Sequence, residues 1–185
     1  MIMHYEPVEF KLRDGRTAIL KNPEEQDAQG LIDYLVKSSG ETDFVIRYPE
    51  ECERYTLESE IKLIAEMKES ENDAFLTCTV DGKVAGNCHL MMNDRMKMHH
   101  RAFVAIALLQ EFWNLGIGSF MFSEMLRIAK ERGDIEQVEL EVVDGNERGI
   151  ALYKKMGFVE YGRRPNAMHT KDGRSLDEIL MMRKL

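Results

Sequence analysis

Phe103-Val104-Ala105-Ile106-Ala107-Leu108-Leu109, a polar break, and then Trp113-Asn114-Leu115-Gly116-Ile117-Gly118-Ser119 form the stretch around which the chain organises. The apolar run predicts a buried strand. The pattern from Gly118 to Glu131 predicts a helix with Phe120, Met121, Met125, Leu126 and Ile128 as its core stripe, closed by Gly133. A strand that empties through a glycine-bearing turn into a helix is an anion cradle. The first turn leaves N–H groups unpaired, and the helix start carries roughly half a positive charge. Gly116 and Gly118 let the backbone approach an anion without Cβ atoms in the way.

Two familiar phosphate signatures are absent. A mononucleotide P-loop places Lys after its last glycine, and here Ser119-Phe120 follows Gly118. A dinucleotide fingerprint needs three spaced glycines at the first strand–helix turn, and only two are present, after antiparallel hairpins.

Outward from this stretch, Val8 to Lys21 alternates around Arg13-Asp14-Gly15-Arg16 and predicts a hairpin. Asn22-Pro23-Glu24-Glu25 predicts a helix start with Asn22 as N-cap. That helix carries Ala28, Leu31, Ile32, Leu35 and Val36 and ends at Ser38-Ser39-Gly40. Glu41 to Glu53 is irregular, and Ser59 to Lys68 predicts a second helix. Ala74 to Val80 and Lys83 to Met92 flank the hairpin turn Asp81-Gly82. After the central helix come a strand over Gln137 to Val143, a helix over Asn146 to Met156, and strands over Gly157 to Arg164 and Glu178 to Arg183. Parallel strands need a crossover, and the Gly118 to Glu131 helix supplies one. The expected fold is one α/β (α+β) domain over residues 1–185, with no linker, repeat or low-complexity tract.

The composition fits a folded chain, 44% hydrophobic and 31% charged, which argues against disorder. A net charge of −8 disfavours nucleic acid as a partner. No uncharged apolar run is long enough to span a bilayer, and the start Met1-Ile2-Met3-His4-Tyr5-Glu6-Pro7 lacks the regions of a signal peptide, so no membrane partner is expected. Cys52, Cys78 and Cys88 are odd in number and irregularly spaced, which points to a reducing cytoplasm. His99 and His100 would point to opposite faces of a strand, so no metal site is expected.

Trp113-Asn114-Leu115-Gly116-Ile117-Gly118 resembles the Gln/Arg-x-x-Gly-x-Gly/Ala motif of the GNAT superfamily of N-acetyltransferases, with Trp at its first position. Asn146-Glu147-Arg148-Gly149-Ile150-Ala151-Leu152-Tyr153-Lys154-Lys155-Met156-Gly157-Phe158 resembles that family's Asn…Ala-x-x-Leu-Tyr-x-x-x-Gly-Phe segment. The opening Ile19-Leu20-Lys21…Asp27-Ala28 and the ending Gly162-Arg163-Arg164…Asp172-Gly173…Asp177-Glu178…Met181 are also similar to family members. The resemblance implies a GNAT-like domain: a mixed, mostly antiparallel sheet with a central splayed parallel strand pair and flanking helices.

It also implies acetyl-CoA as co-substrate and a small-molecule primary amine, such as an amino acid or polyamine, as acceptor in a ternary complex. Alternatives are a protein or peptide N-terminal acetyltransferase and a non-catalytic CoA-binding sensory module. The pyrophosphate would lie over the amides of Leu115, Gly116, Ile117, Gly118 and Ser119, with Asn114 also in the cofactor site. The pantetheine would lie along the edge from Ile106 through Ala107 and Leu108 to Leu109, with Asn146 beside it and a Leu108 N–H near the thioester carbonyl. Tyr153, two helical turns after Asn146, would approach the sulfur. Glu139, Glu141, Glu41 and Asp43 are candidates for a general base, with Glu141 favoured. Arg47, Arg163 and Arg164 are cations suited to a substrate carboxylate, and by analogy the final strands would support a homodimer.

Overall fold

The structure is a computed structural model and describes residues 4–185. Met1 to Met3, which entered the judgement about a leader, lie outside the described residues.

Two hairpins open the chain. β1 (Val8–Lys11) pairs with β2 (Thr17–Lys21), and β3 (Asp73–Val80) pairs with β4 (Lys83–Met92). Asp81 at φ 50° and Gly82 at φ 76° give the second turn two left-handed residues, the twist that suits a two-residue hairpin loop. Between the hairpins lie α1 (Ala28–Glu41) and α2 (Leu57–Glu69). Then come β5 (Arg101–Leu108), α3 (Ile117–Arg132), β6 (Gln137–Val143), α4 (Glu147–Lys155), β7 (Val159–His169) and β8 (Ser175–Lys184).

All eight strands form one sheet in the order β1-β2-β3-β4-β5-β6-β8-β7. β5 and β6 are its parallel pair, joined by the α3 crossover, and the other neighbours run antiparallel. The expected mixed α/β fold with a central splayed parallel pair is therefore observed. Strand β8 slots between β6 and β7, an order that no local motif encodes.

β5 and β6 pair only over Arg101↔Gln137, Ala102↔Val138 and Phe103↔Glu139, and then diverge. Arg101 clamps the junction with a bidentate pair to Glu139, at 2.7 and 2.6 Å. Beyond it the sheet opens a V-shaped cleft. One cause is Gly86 on β4, opposite Leu108. A Cβ there would lie 2.4 Å from the Ala107 carbonyl oxygen, so only glycine lets β4 and the end of β5 approach this closely.

The core lies between the sheet and its helices. Leu76, Leu90, Val138 and Met181 from strands pack with Ile117, Met121, Phe122 and Met125 of α3, all almost fully buried. Phe122 belongs in the helix's core stripe, whereas Phe120 is only partly buried and stacks on Phe10 at 3.9 Å.

Two local expectations need correction. Asn22 does not cap α1. Its side chain accepts from Tyr5 N and donates to Phe75 O, tying the chain's start to β3. Asp27 stands at the N-cap of α1 instead, and Glu24 begins the 3-10 turn over Glu25–Asp27 that leads into it, in a capping box with Asp27. Nor does α1 end at Ser38-Ser39-Gly40. Ser38 and Ser39 are buried, the Ser38 hydroxyl donates to Leu35 O, and the helix runs on to Glu41.

Candidate active site

The cleft is built from backbone first. Leu109 N donates to Ala85 O of β4 at 2.9 Å. In an antiparallel ladder, residues alternate between bonding the neighbour and facing away from it. Leu108 and Ile106 therefore turn their N–H and C=O groups toward the side from which β6 has departed. The Leu108 carbonyl is taken by the Trp113 indole N–H at 2.9 Å, and the Ala107 carbonyl accepts from the buried Tyr34 hydroxyl at 3.0 Å. The Leu108 and Ile106 N–H groups are thus the amides on this edge aimed into the cleft, while the Leu109 N–H is committed to β4.

At the mouth of the cleft the chain turns sharply through Asn114 at φ 64° and Gly116 at φ 99°. Gly116 stands at the N-cap of α3, and a side chain there would be strained whatever the space. The first helical amide with a backbone acceptor is that of Phe120, to Gly116 O at 3.1 Å. The N–H groups of Ile117, Gly118 and Ser119 precede it and have no intrahelical carbonyl. A Cβ on Gly118 would press on Leu152 and Leu108 at 3.3 and 3.4 Å, so this glycine seats the helix start against β5 and α4.

Cations frame this turn in an otherwise acidic protein. Arg13, on the β1–β2 turn, donates its N–H to Leu115 O and its guanidinium to Asn114 O. Arg148 of α4 stacks on Trp113 at 3.9 Å from its centroid and donates to Asn114 Oδ1 at 3.0 Å. Neither arginine was singled out from the sequence. Their partners lie on other elements, which the linear spacing of the motif does not show.

Asn146 caps α4 by accepting from Gly149 N at 3.0 Å. A Cβ at Gly149 would lie 2.9 Å from Asn146 Nδ2, so the capping side chain would have to shift to admit one. Tyr153, 9% exposed, packs against Phe122 and Phe158. Burial pushes its phenol up to about 12. Asn146 and Tyr153 line two adjoining cavities. One, of 380 Å³, runs past Ile106, Leu108, Trp113, Gly118 and Arg148. The other, of 150 Å³, is lined by Phe44, Phe103, Glu141, Met168 and Glu178. A larger cavity, of 620 Å³, lies beside Tyr5 and Arg127 and is lined by none of these residues.

The structure sorts the candidate acids. Glu139 is locked to Arg101, which holds its carboxyl below the usual range. Glu41 accepts from Gln110 N and braces the break after β5. Asp43 is paired with Arg174 at 2.6 Å. Glu141 lines the smaller cavity with Tyr153, bound to Arg164 at 2.6 and 2.9 Å. Glu178, overlooked in the sequence, lines the same cavity and shares Arg164 at 2.6 Å. Its place follows from the β6–β8 register, Val143↔Glu178, which is not a local property.

Residues 37–158 fit the acetyltransferase (GNAT) family.

The chain belongs to the GNAT acetyltransferase family.

Among similar GNAT-type proteins, an N-alpha-acetyltransferase of Sulfurisphaera tokodaii is 34% identical over 52% of this chain and 62% of that one. The L-amino acid N-acetyltransferase AaaT of Escherichia coli is 29% identical over 45% of this chain and 51% of that one. The chain thus spans between half and two thirds of the length of these relatives. A solved GNAT-family acetyltransferase from Streptococcus pneumoniae superposes with a TM-score of 0.84 at 26% identity, covering 91% of this chain and 99% of that one. Among the described residues, no helix of this GNAT domain is long and apolar enough to cross a membrane.

Proposed function

We propose that the protein transfers the acetyl group of acetyl-CoA to a primary amine of a small molecule by direct attack in a ternary complex. The observation that carries this is the junction of the two cavities at Tyr153 and Asn146. One cavity suits a CoA donor: its edge at Ile106 and Leu108 leads to the helix start at Gly118, beside Arg148, and Arg13 holds the adjoining turn. An amide-bearing pantetheine adds to such an edge like a strand, and a pyrophosphate suits such a helix start. The second cavity, at 150 Å³, suits a small acceptor.

The amine lone pair attacks the thioester carbon, the C–S bond breaks, and the amine loses a proton while the thiolate gains a hydrogen-bond donor. The Leu108 N–H stands where a carbonyl oxygen gathering charge is stabilised. Tyr153 stays protonated at neutral pH. Full proton transfer from a phenol at about 12 to an ordinary thiol near 8.5 is uphill by roughly 5 kcal/mol, so hydrogen bonding to the leaving sulfur is its main contribution. Glu141 and Glu178 take the ammonium form of the acceptor and lead its proton toward solvent.

A covalent route through cysteine is disfavoured. All three cysteines are buried. Burial pushes the Cys78 thiol up to about 12 and the Cys88 thiol well above its ordinary value. No cysteine lines either cavity.

The segment over 42–48 is fastened to the β7–β8 turn by the Asp43–Arg174 pair and by Tyr48 accepting from Lys171 N at 2.8 Å. That closure favours a small acceptor over a polypeptide. Thiol release from acetyl-CoA, screened against amino acids, polyamines, aminoglycosides and peptides, tests the proposal. Turnover of peptides alone would favour N-terminal acetylation, and binding of acetyl-CoA without any amine-dependent turnover would favour a sensory role.

A further inference from the structure

A third cavity, of 180 Å³, adjoins the acceptor cavity and shares Ile46 and Met168 with it. Arg47 lines it, together with Tyr48, His169 and Leu176. Among the described residues, Arg47 makes no hydrogen bond and no ion pair, and its Nε is sealed from solvent without a partner. That is costly for the Nε group, because a buried polar N–H is ordinarily hydrogen-bonded. The chain has an excess of acids, 33 against 25 basic residues, so the lack of a partner is not for want of carboxylates.

The neighbouring charges are accounted for. Arg163 is held by Glu160 and Asp144, and Arg164 by Glu141 and Glu178. Asp43 is taken by Arg174. Glu60 of α2 is buried within electrostatic reach of Arg47, but it forms no ion pair with it. Of the three arginines suited to a substrate carboxylate, only Arg47 remains uncommitted.

We propose that Arg47 receives the carboxylate of the acceptor, so that the substrate class is an amine that also carries a carboxylate: its nitrogen lies by Tyr153, Glu141 and Glu178, and its anionic end lies in the Arg47 cavity. This rests on the small-amine function proposed above and narrows it. Guanidinium and carboxylate match as a planar two-point pair.

The test uses the intact protein with acetyl-CoA and matched acceptors: α- and ω-amino acids, their carboxamides and the corresponding decarboxylated amines. The wild-type protein is expected to favour a carboxylate over its carboxamide by roughly 10- to 100-fold in kcat/KM, the range of a charge-assisted hydrogen bond. That preference runs against basicity, since a nearby carboxylate keeps more of the amine protonated. Arg47→Gln should erase the preference, mainly through KM, while leaving carboxamide turnover and calorimetric acetyl-CoA affinity within about twofold. Arg47→Lys should restore part of it. Equal use of carboxylate and carboxamide by the wild type, or an equal loss for both in Arg47→Gln with acetyl-CoA affinity retained, would overturn the assignment of Arg47 alone. If Arg47→Gln does not fold, the wild-type preference and the Arg47→Lys variant decide the matter. Acetyl-CoA binding without turnover of any small amine would overturn the small-amine function and the Arg47 role together.

Discussion

The Arg148 guanidinium lies over the Trp113 indole, 3.9 Å from the ring centroid, and donates to Asn114 Oδ1 at 3.0 Å. The family motif usually carries Gln or Arg at the position of Trp113. Here the aromatic ring serves as a platform, and the cation arrives from α4 across the cleft.

Arg148→Ala should weaken acetyl-CoA binding by roughly tenfold and leave kcat nearly unchanged, because the contact serves binding of the donor rather than the reacting atoms. Arg148→Lys should recover little, since an ammonium neither stacks nor forks. Calorimetric titration at two salt concentrations checks both. A wild-type salt dependence no steeper than that of Arg148→Ala would count against the contact.

Tyr153→Phe should lower kcat by about 10²-fold, the usual cost of losing one donor aimed at developing charge, with a small change in acetyl-CoA KM. With the wild-type phenol raised to about 12, no tyrosine limb should appear in the pH–rate profile below about pH 11. An alkaline fall centred near pH 9 that disappears in Tyr153→Phe would contradict this.

Gly86→Ala should damage both stability and donor binding. Its new methyl would meet the Ala107 carbonyl oxygen and the Leu108 side chain, each at 2.4 Å. Relieving the clash shifts the end of β5 toward the cleft, at a cost of about 1–3 kcal/mol. Thermal unfolding should show a lower Tm, and acetyl-CoA titration a weaker Kd than in a destabilised variant remote from the cleft.

Glu139→Gln should destabilise the protein at neutral pH but not in acid. The Arg101 guanidinium, followed by a Gln137 hydrogen bond, lowers the Glu139 carboxyl, with burial acting in the opposite direction. A depressed folded pKa gives stability that is present above the unfolded value near 4.3 and is lost as pH falls through the folded value. The Tm difference between wild type and variant should be on the order of 2–4 °C at pH 7 and should close as the pH falls below the ordinary glutamate range. A constant difference across that range would show that packing, not the charge pair, is responsible.

The hairpins, the helix start at Gly116 and the Asn146 cap were legible because each depends on residues within a few positions of one another. Asp81-Gly82 and Asn114…Gly116 adopt the left-handed conformations that their residue types favour. Asn22 misled for the same local reason: its type suits an N-cap, but a partner on β3, Phe75, claims its amide. Glu178, Arg13 and Arg148 escaped notice because their partners lie on other elements, at sequence separations that no spacing rule covers.

By itself, then, the sequence determined the local pieces of this GNAT domain: the strand that ends in a glycine turn, the helix whose first amides are left open, and the capped helix that carries Tyr153. Short-range backbone preferences suffice for these. Only the tertiary structure decided where β5 and β6 part, that Gly86 admits the close approach beside them, and that β8 places Glu178 next to Glu141. It alone separated the committed arginines from Arg47, because whether a charge is neutralised depends on long-range neighbours and burial, which a linear spacing does not contain.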